Sequence, residues 1–155
     1  MRFTITRVIR LALLPPLLTA VTLIAQDSAP PALISNQEVL DGLQADGSRW
    51  LTFGGNYANH RFSPLTQIAP ENVQRLQPQW TFQTGTLGNF ETTTLLRDNV
   101  LYATGPQNVA WAIDARSGRQ IWRYRRELPD GLTACCGLVN RGFAALGDRL
   151  FMTTL

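Results

Sequence analysis

The sequence predicts an all-β fold of small repeated sheets, as in a sandwich or a propeller. Three observations carry this. Short runs rich in β-branched and aromatic residues occupy positions 79–84, 92–97, 100–104, 109–114, 120–125, 142–146 and 149–154. Turn signals such as Arg97-Asp98-Asn99, Gly105-Pro106, Ser117-Gly118 and Gly147-Asp148 separate most of them, and strands this short and evenly spaced suggest sheet repeats. The third is the segment 112–122, where Asp114 and Ser117-Gly118 make a tight hairpin turn and Trp122 follows four residues after the glycine. A tryptophan at that offset can lie flat over a neighbouring repeat and join two blades through its large area. A lone hairpin with a buried tryptophan is the plainer alternative, and the 11-residue spacing argues against it.

The chain begins with a segment that does not belong to this fold. Residues 1–10 carry three arginines and no acid, and residues 11–25 are apolar or small apart from Thr19 and Thr22. Fifteen residues interrupted by Pro15-Pro16 are short for a membrane span. A positive stretch followed by a short apolar one predicts a signal peptide over 1–25. An uncleaved N-terminal anchor is the alternative. Without these residues the charge balances: 14 Arg less three leaves 11, against 11 acids, and there is no Lys. The apparent basicity therefore gives no support for nucleic-acid binding, which needs a basic patch on the folded domain.

Residues 26–34, with Pro30-Pro31, read as a linker. A first short helix is predicted over 36–44, with Ser35 as its cap, Glu38 completing a capping box, and Val39, Leu40 and Leu43 as an apolar stripe. Asp46-Gly47-Ser48 should end it. The stretch from Trp50 to Gly55 reads as extended. A second short helix is predicted over 70–76, with Pro70 at its first position and Val73 and Leu76 three apart.

Cys135 and Cys136 are the only cysteines and are adjacent. A disulfide ordinarily joins Cα atoms about 4.4–6.8 Å apart, whereas neighbours across a trans peptide stand about 3.8 Å apart. A bond between them would close a strained ring and cross-link almost no loop. Two reduced cysteines packed as small apolar residues are the plain reading; export to an oxidising compartment would favour the ring. His60, the only histidine, has no acid or cysteine at metal-ligand spacing and reads as a loop residue. Arg123, Arg125 and Arg126 read as a solvated strand edge. The glycines form no phosphate-cradling motif, and no serine nucleophile motif is present.

The segment 112–122 resembles the blade signature of pyrroloquinoline quinone (PQQ)-dependent dehydrogenases. So do Trp50-Leu51-Thr52-Phe53-Gly54-Gly55, the stretch from Arg61 to Ile68, Asn72-Val73, and the run from Trp80 to Gly85. The resemblance covers residues 35–155 and is most specific at Cys135-Cys136 followed by Asn140-Arg141-Gly142, which is similar to the alcohol and methanol dehydrogenase branch. It implies the first blade and part of the second of an eight-bladed, tryptophan-docking β-propeller, preceded by the two short helices. By resemblance, Cys135 and Cys136 form a vicinal disulfide lying flat against one face of PQQ. Glu91 contacts the cofactor from an inner strand, and Arg141 pairs with a cofactor carboxylate. The family's Ca²⁺ ligands, its catalytic aspartate and the tryptophan on the cofactor's other face are expected further along than this chain extends. The implied whole is a periplasmic or secreted enzyme that oxidises an alcohol by hydride transfer to PQQ and passes electrons to a cytochrome c or a quinone. A non-catalytic exported propeller scaffold is the alternative from another class, and it has no use for a strained ring beside a cofactor cavity; an inert truncated fragment is the third possibility. A blade cannot bury its faces alone, so such a fragment should be unstable or need partners.

Overall fold

The computed structural model describes residues 32–42 and 47–155. The predicted signal peptide, the first part of the linker, Leu43 and Asp46 lie outside the described residues. Among those described, no helix is long and apolar enough to cross a membrane.

The capping box forms as the sequence predicts. Ser35 Oγ accepts from the Glu38 N–H at 3.1 Å, and the Glu38 carboxylate accepts from the Ser35 N–H at 2.8 Å. Helix α1 then runs only from Asn36 to Asp41, shorter than the expected 36–44. Gly42 turns the chain in the left-handed region, with φ 71°, and a Cβ there would stand 2.7 Å from the Asn56 side chain. Glu38 also receives Arg49 at 2.7 Å and Arg97 at 3.5 Å, fastening the helix to strands β1 (Arg49–Trp50) and β2 (Leu95–Arg97).

The second predicted helix is a single 3₁₀ turn, Val73–Arg75. Asn72 is the cause: its side chain accepts from the Ala69 N–H at 2.9 Å and donates to the Gln67 carbonyl at 2.8 Å, competing with a helical ladder. Val73 and Leu76 are exposed, so no buried face sustains a longer helix.

The first blade follows the expected pattern closely. Strands β2, β3 (Val100–Gly105), β4 (Val109–Asp114) and β5 (Gln120–Arg125) pair antiparallel in chain order, and β1 adds to the free edge of β2. Five of the six residues of β4 are buried. Trp111 at its centre meets Phe82 edge-on at 6.0 Å and stacks on Phe90 at 6.3 Å. Residues 79–84 are expected as a strand but form no ladder; instead Trp80 and Phe82 pack on the Val109–Trp111–Ile113 cluster, and Trp80 Nε1 donates to the Ala115 carbonyl at 3.0 Å.

The hairpin between β4 and β5 is built around Asp114. Its Oδ1 accepts from the N–H groups of Arg116 and Ser117 and from the Ser117 hydroxyl, at 3.1, 2.8 and 2.8 Å. Gly118 closes the turn with φ 70°, pressed against the Trp80 ring. Trp122 then lies between Tyr102 of its own sheet, at 6.2 Å, and Phe143 ahead of the next sheet, at 6.5 Å. Trp122 thus reaches the neighbouring repeat as expected, but it meets Phe143 edge-on, at an interplanar angle of 83°, rather than lying flat.

The second sheet is the hairpin β6 (Ala144–Leu146) and β7 (Arg149–Phe151). It joins the first blade through a parallel bridge between Thr93 and Gly142. A Cβ on Gly142, whose φ is 126°, would stand 2.7 Å from the Thr93 carbonyl oxygen, so the close approach requires glycine. Ile34 also pairs with Gly147, and Ile34, Val39, Leu51, Leu95 and Ala145 form one buried cluster spanning both sheets and the helix.

Candidate cofactor site

The cysteines occupy the two middle positions of a turn whose ends are Ala134 and Gly137, closed by the Gly137 N–H donating to the Ala134 carbonyl at 3.1 Å. Gly137 supplies the left-handed φ of 82° that the exit from the turn demands. Both side chains are exposed, and the two sulfurs face each other at 3.1 Å. The Cys136 thiol is pushed up from its ordinary pKa, chiefly by its hydrogen bond with Cys135 and then by desolvation. The Arg141 cation pulls it down, and the Glu91 carboxylate pushes it up.

Three contacts pin the loop that carries this turn. The Gln107 N–H donates to the Leu138 carbonyl at 2.8 Å, tying it to the β3–β4 turn. Buried Asn140 donates to the Thr153 carbonyl at 2.7 Å and accepts from the Gly142 N–H at 3.1 Å. The Thr93 N–H donates to the Arg141 carbonyl at 3.1 Å, beside the inter-blade bridge.

That last contact places the Arg141 side chain over the segment leading into β2. Its Nε donates to Glu91 Oε2 at 3.0 Å across 50 residues of sequence. The pair is open to water, with side-chain exposures of 70% for Arg141 and 37% for Glu91, so it adds little stability. Its effect is orientation. Glu91 stands in the extended lead-in to β2 rather than within a strand.

A cleft of about 420 Å³ opens beside the turn, walled by Cys135, Cys136, Arg141, Asn108, Asn140 and Thr153. Three of the four residues singled out from sequence line it, and Glu91 joins through Arg141. Asn108 was not legible as a site residue. The pair Gln107-Asn108 signals a turn, and both residues do take positive φ, of 59° and 55°; nothing local shows that this turn lies against the cysteine loop. Among the described residues no cluster of three or more His, Cys, Asp or Glu could hold a metal ion.

A tryptophan-bearing antiparallel sheet, joined by a parallel bridge to the start of a second sheet, is the architecture of a partial β-propeller. The family model for the glucose/ethanol/alcohol dehydrogenase β-propeller domain of PQQ proteins matches residues 50–150, and this chain belongs to that family. It is 43% identical over 107 residues to the 1-butanol dehydrogenase (quinone) of Thauera butanivorans, covering 68% of this chain and 17% of that protein. It is 39% identical over 113 residues to the 1-butanol dehydrogenase (cytochrome c) of the same organism, covering 72% and 16%. A solved europium-containing methanol dehydrogenase superposes with a TM-score of 0.70 at 33% identity, covering 77% of this chain and 22% of that one. The chain thus spans 16–22% of the length of these relatives.

Proposed function

We propose that this chain is the N-terminal portion of an exported quinoprotein alcohol dehydrogenase and supplies one half of its PQQ site. The observation that carries the reading is convergence: Glu91 and Arg141 pair beside the cleft that holds the cysteine turn. The donor set suits the ligand, since a cation, buried amides and a flat sulfur surface complement a planar tricarboxylate. Asn108, whose carboxamide has no hydrogen-bond partner, also lines this cleft.

Bound PQQ would supply a quinone that takes up a hydride equivalent from an alcohol carbon. The residues of this chain bind and orient it. Cys135 and Cys136, joined as a vicinal disulfide, present a rigid disc against one face of the ring, with little side-chain entropy left to lose on binding. Closing that bond releases two protons and two electrons from the thiols; a disulfide-bearing oxidant of the export compartment takes them up and leaves as a dithiol. The planar, always-charged guanidinium of Arg141 pairs with a cofactor carboxylate. Glu91 holds Nε of Arg141 and so sets the direction of that fork.

Residues 1–25 act as the signal peptide in this reading, the protein is periplasmic or secreted, and an uncleaved anchor is the variant. The assembled enzyme would pass electrons to a cytochrome c or a quinone, supported by relatives named for each acceptor. Ca²⁺, which the family resemblance implies, would be held by carboxylate and amide oxygens in parts of the propeller beyond these residues.

The test is the redox state of the exported protein. Thiol labelling after export should find no free thiol, and the peptide containing Cys135 and Cys136 should be lighter by two hydrogens than its reduced form. Two labelled cysteines would remove the ring from the proposal.

A further inference from the structure

One wall of the cleft carries a residue that neither the fold nor the four site residues explain. Asn108 is 1% exposed, yet neither its Oδ1 nor its Nδ2 has a hydrogen-bond partner. The other buried amide on this wall, Asn140, is satisfied through both its oxygen and its nitrogen. Buried polar groups take partners, because an unmet one keeps the full cost of leaving water. The backbone does not account for the asparagine: glycine adopts a φ of 55° with less strain and would bury no polar atom.

The position is also mechanically defined. The Asn108 carbonyl accepts from the Arg126 N–H at 3.3 Å, and the preceding residue, Gln107, donates to Leu138 of the cysteine loop at 2.8 Å. Asn108 is therefore carried by a turn tied both to the residue that follows β5 and to the cysteine loop, and it lines the same cleft as Cys135, Cys136 and Arg141.

We infer that Asn108 is a further cofactor-binding residue, donating from Nδ2 to an oxygen on the edge of the planar quinone and accepting at Oδ1 from its ring N–H. This rests on the PQQ half-site proposed above. A carboxamide suits the task because it offers a donor and an acceptor side by side without adding a charge. It would set the in-plane rotation of a ring whose face the cysteines hold and whose carboxylate Arg141 holds.

The half-site is open on its second face, so the binding experiment is an NMR titration of the ¹⁵N-labelled chain with PQQ carried to millimolar concentration. The Asn108 side-chain NH₂ pair should shift together with Arg141 Nε–H and the Cys135 and Cys136 amides. N108G, which keeps the turn and removes the amide, should weaken binding about tenfold, with the ligand-free thermal midpoint unchanged or raised. If the cysteine and Arg141 signals move while the Asn108 NH₂ does not, Asn108 is no contact and the half-site stands without it. A ligand-free N108G that melts earlier, with wild-type PQQ affinity, would mean a structural role and overturn the inference. If no signal moves, the half-site reading falls, and this inference with it.

Discussion

Strand β4 and the cysteine loop are both central to the molecule and are held by opposite means. β4 is buried almost end to end, paired on both edges, and wrapped around Trp111. The loop buries little besides Asn140 and is fixed by a few hydrogen bonds, two backbone and one from the Asn140 side chain, to segments that flank the two sheets. Packing holds the frame; directional bonds hold the chemistry. A surface meant to meet a planar ligand has to stay exposed, so it cannot draw its rigidity from burial and takes it from tethers instead.

Breaking the frame should have the largest effect. Trp111→Ala removes the ring that Phe82 and Phe90 enclose and against which Gly105 packs, and should cost about 3–5 kcal/mol in urea unfolding, with loss of near-ultraviolet circular dichroism across the blade. A cost under about 1 kcal/mol would show that the blade is not the stable unit.

Breaking a tether should be milder and more local. Gly142→Ala forces a side chain at φ 126° against the Thr93 carbonyl and should cost about 1–3 kcal/mol. Amide exchange should accelerate at Thr93 and along the loop near the cysteines, whereas the β3–β4 ladder keeps its protection. Equal acceleration in both regions would erase the distinction between frame and loop.

The smallest effect should come from acid. Hydrogen bonds from the Ser117 hydroxyl and N–H hold Asp114 below its ordinary 3.8, and the Ser35 N–H, with help from Arg49 and Arg97, holds Glu38 below 4.5. Both folded values lie below the unfolded ones, so their stabilisation is complete above the unfolded pKa and fades as pH falls through the lower folded values. The urea midpoint should decline from about pH 5 downward. Asp114→Asn and Glu38→Gln should each flatten that decline, and a slope unchanged in both variants would count against these turns as its source.

Local signals were legible wherever the physics is local. The Ser35–Glu38 capping box, the Asp114 hairpin and the alternation of strand and turn through the first blade depend on neighbours a few residues apart, and each forms as the sequence predicts. The second helix failed because the Asn72 side chain bonded the backbone of Gln67 and Ala69. The 79–84 strand failed because propensity cannot say whether a partner edge is within reach; its aromatics found a sheet face instead.

The site divides the same way. Sequence, through family resemblance, singled out Glu91, Cys135, Cys136 and Arg141, and adjacency alone put the two sulfurs within reach of each other. Only the tertiary structure decided that Arg141 would meet Glu91 across 50 residues, that Asn140 would anchor the loop, and that Asn108 would lie buried and unmet on the cleft wall. Those contacts arise where two sheets dock through Thr93 and Gly142. Short-range hydrogen bonds can be read from residue order, while the meeting of distant segments depends on which surfaces the sheets bury.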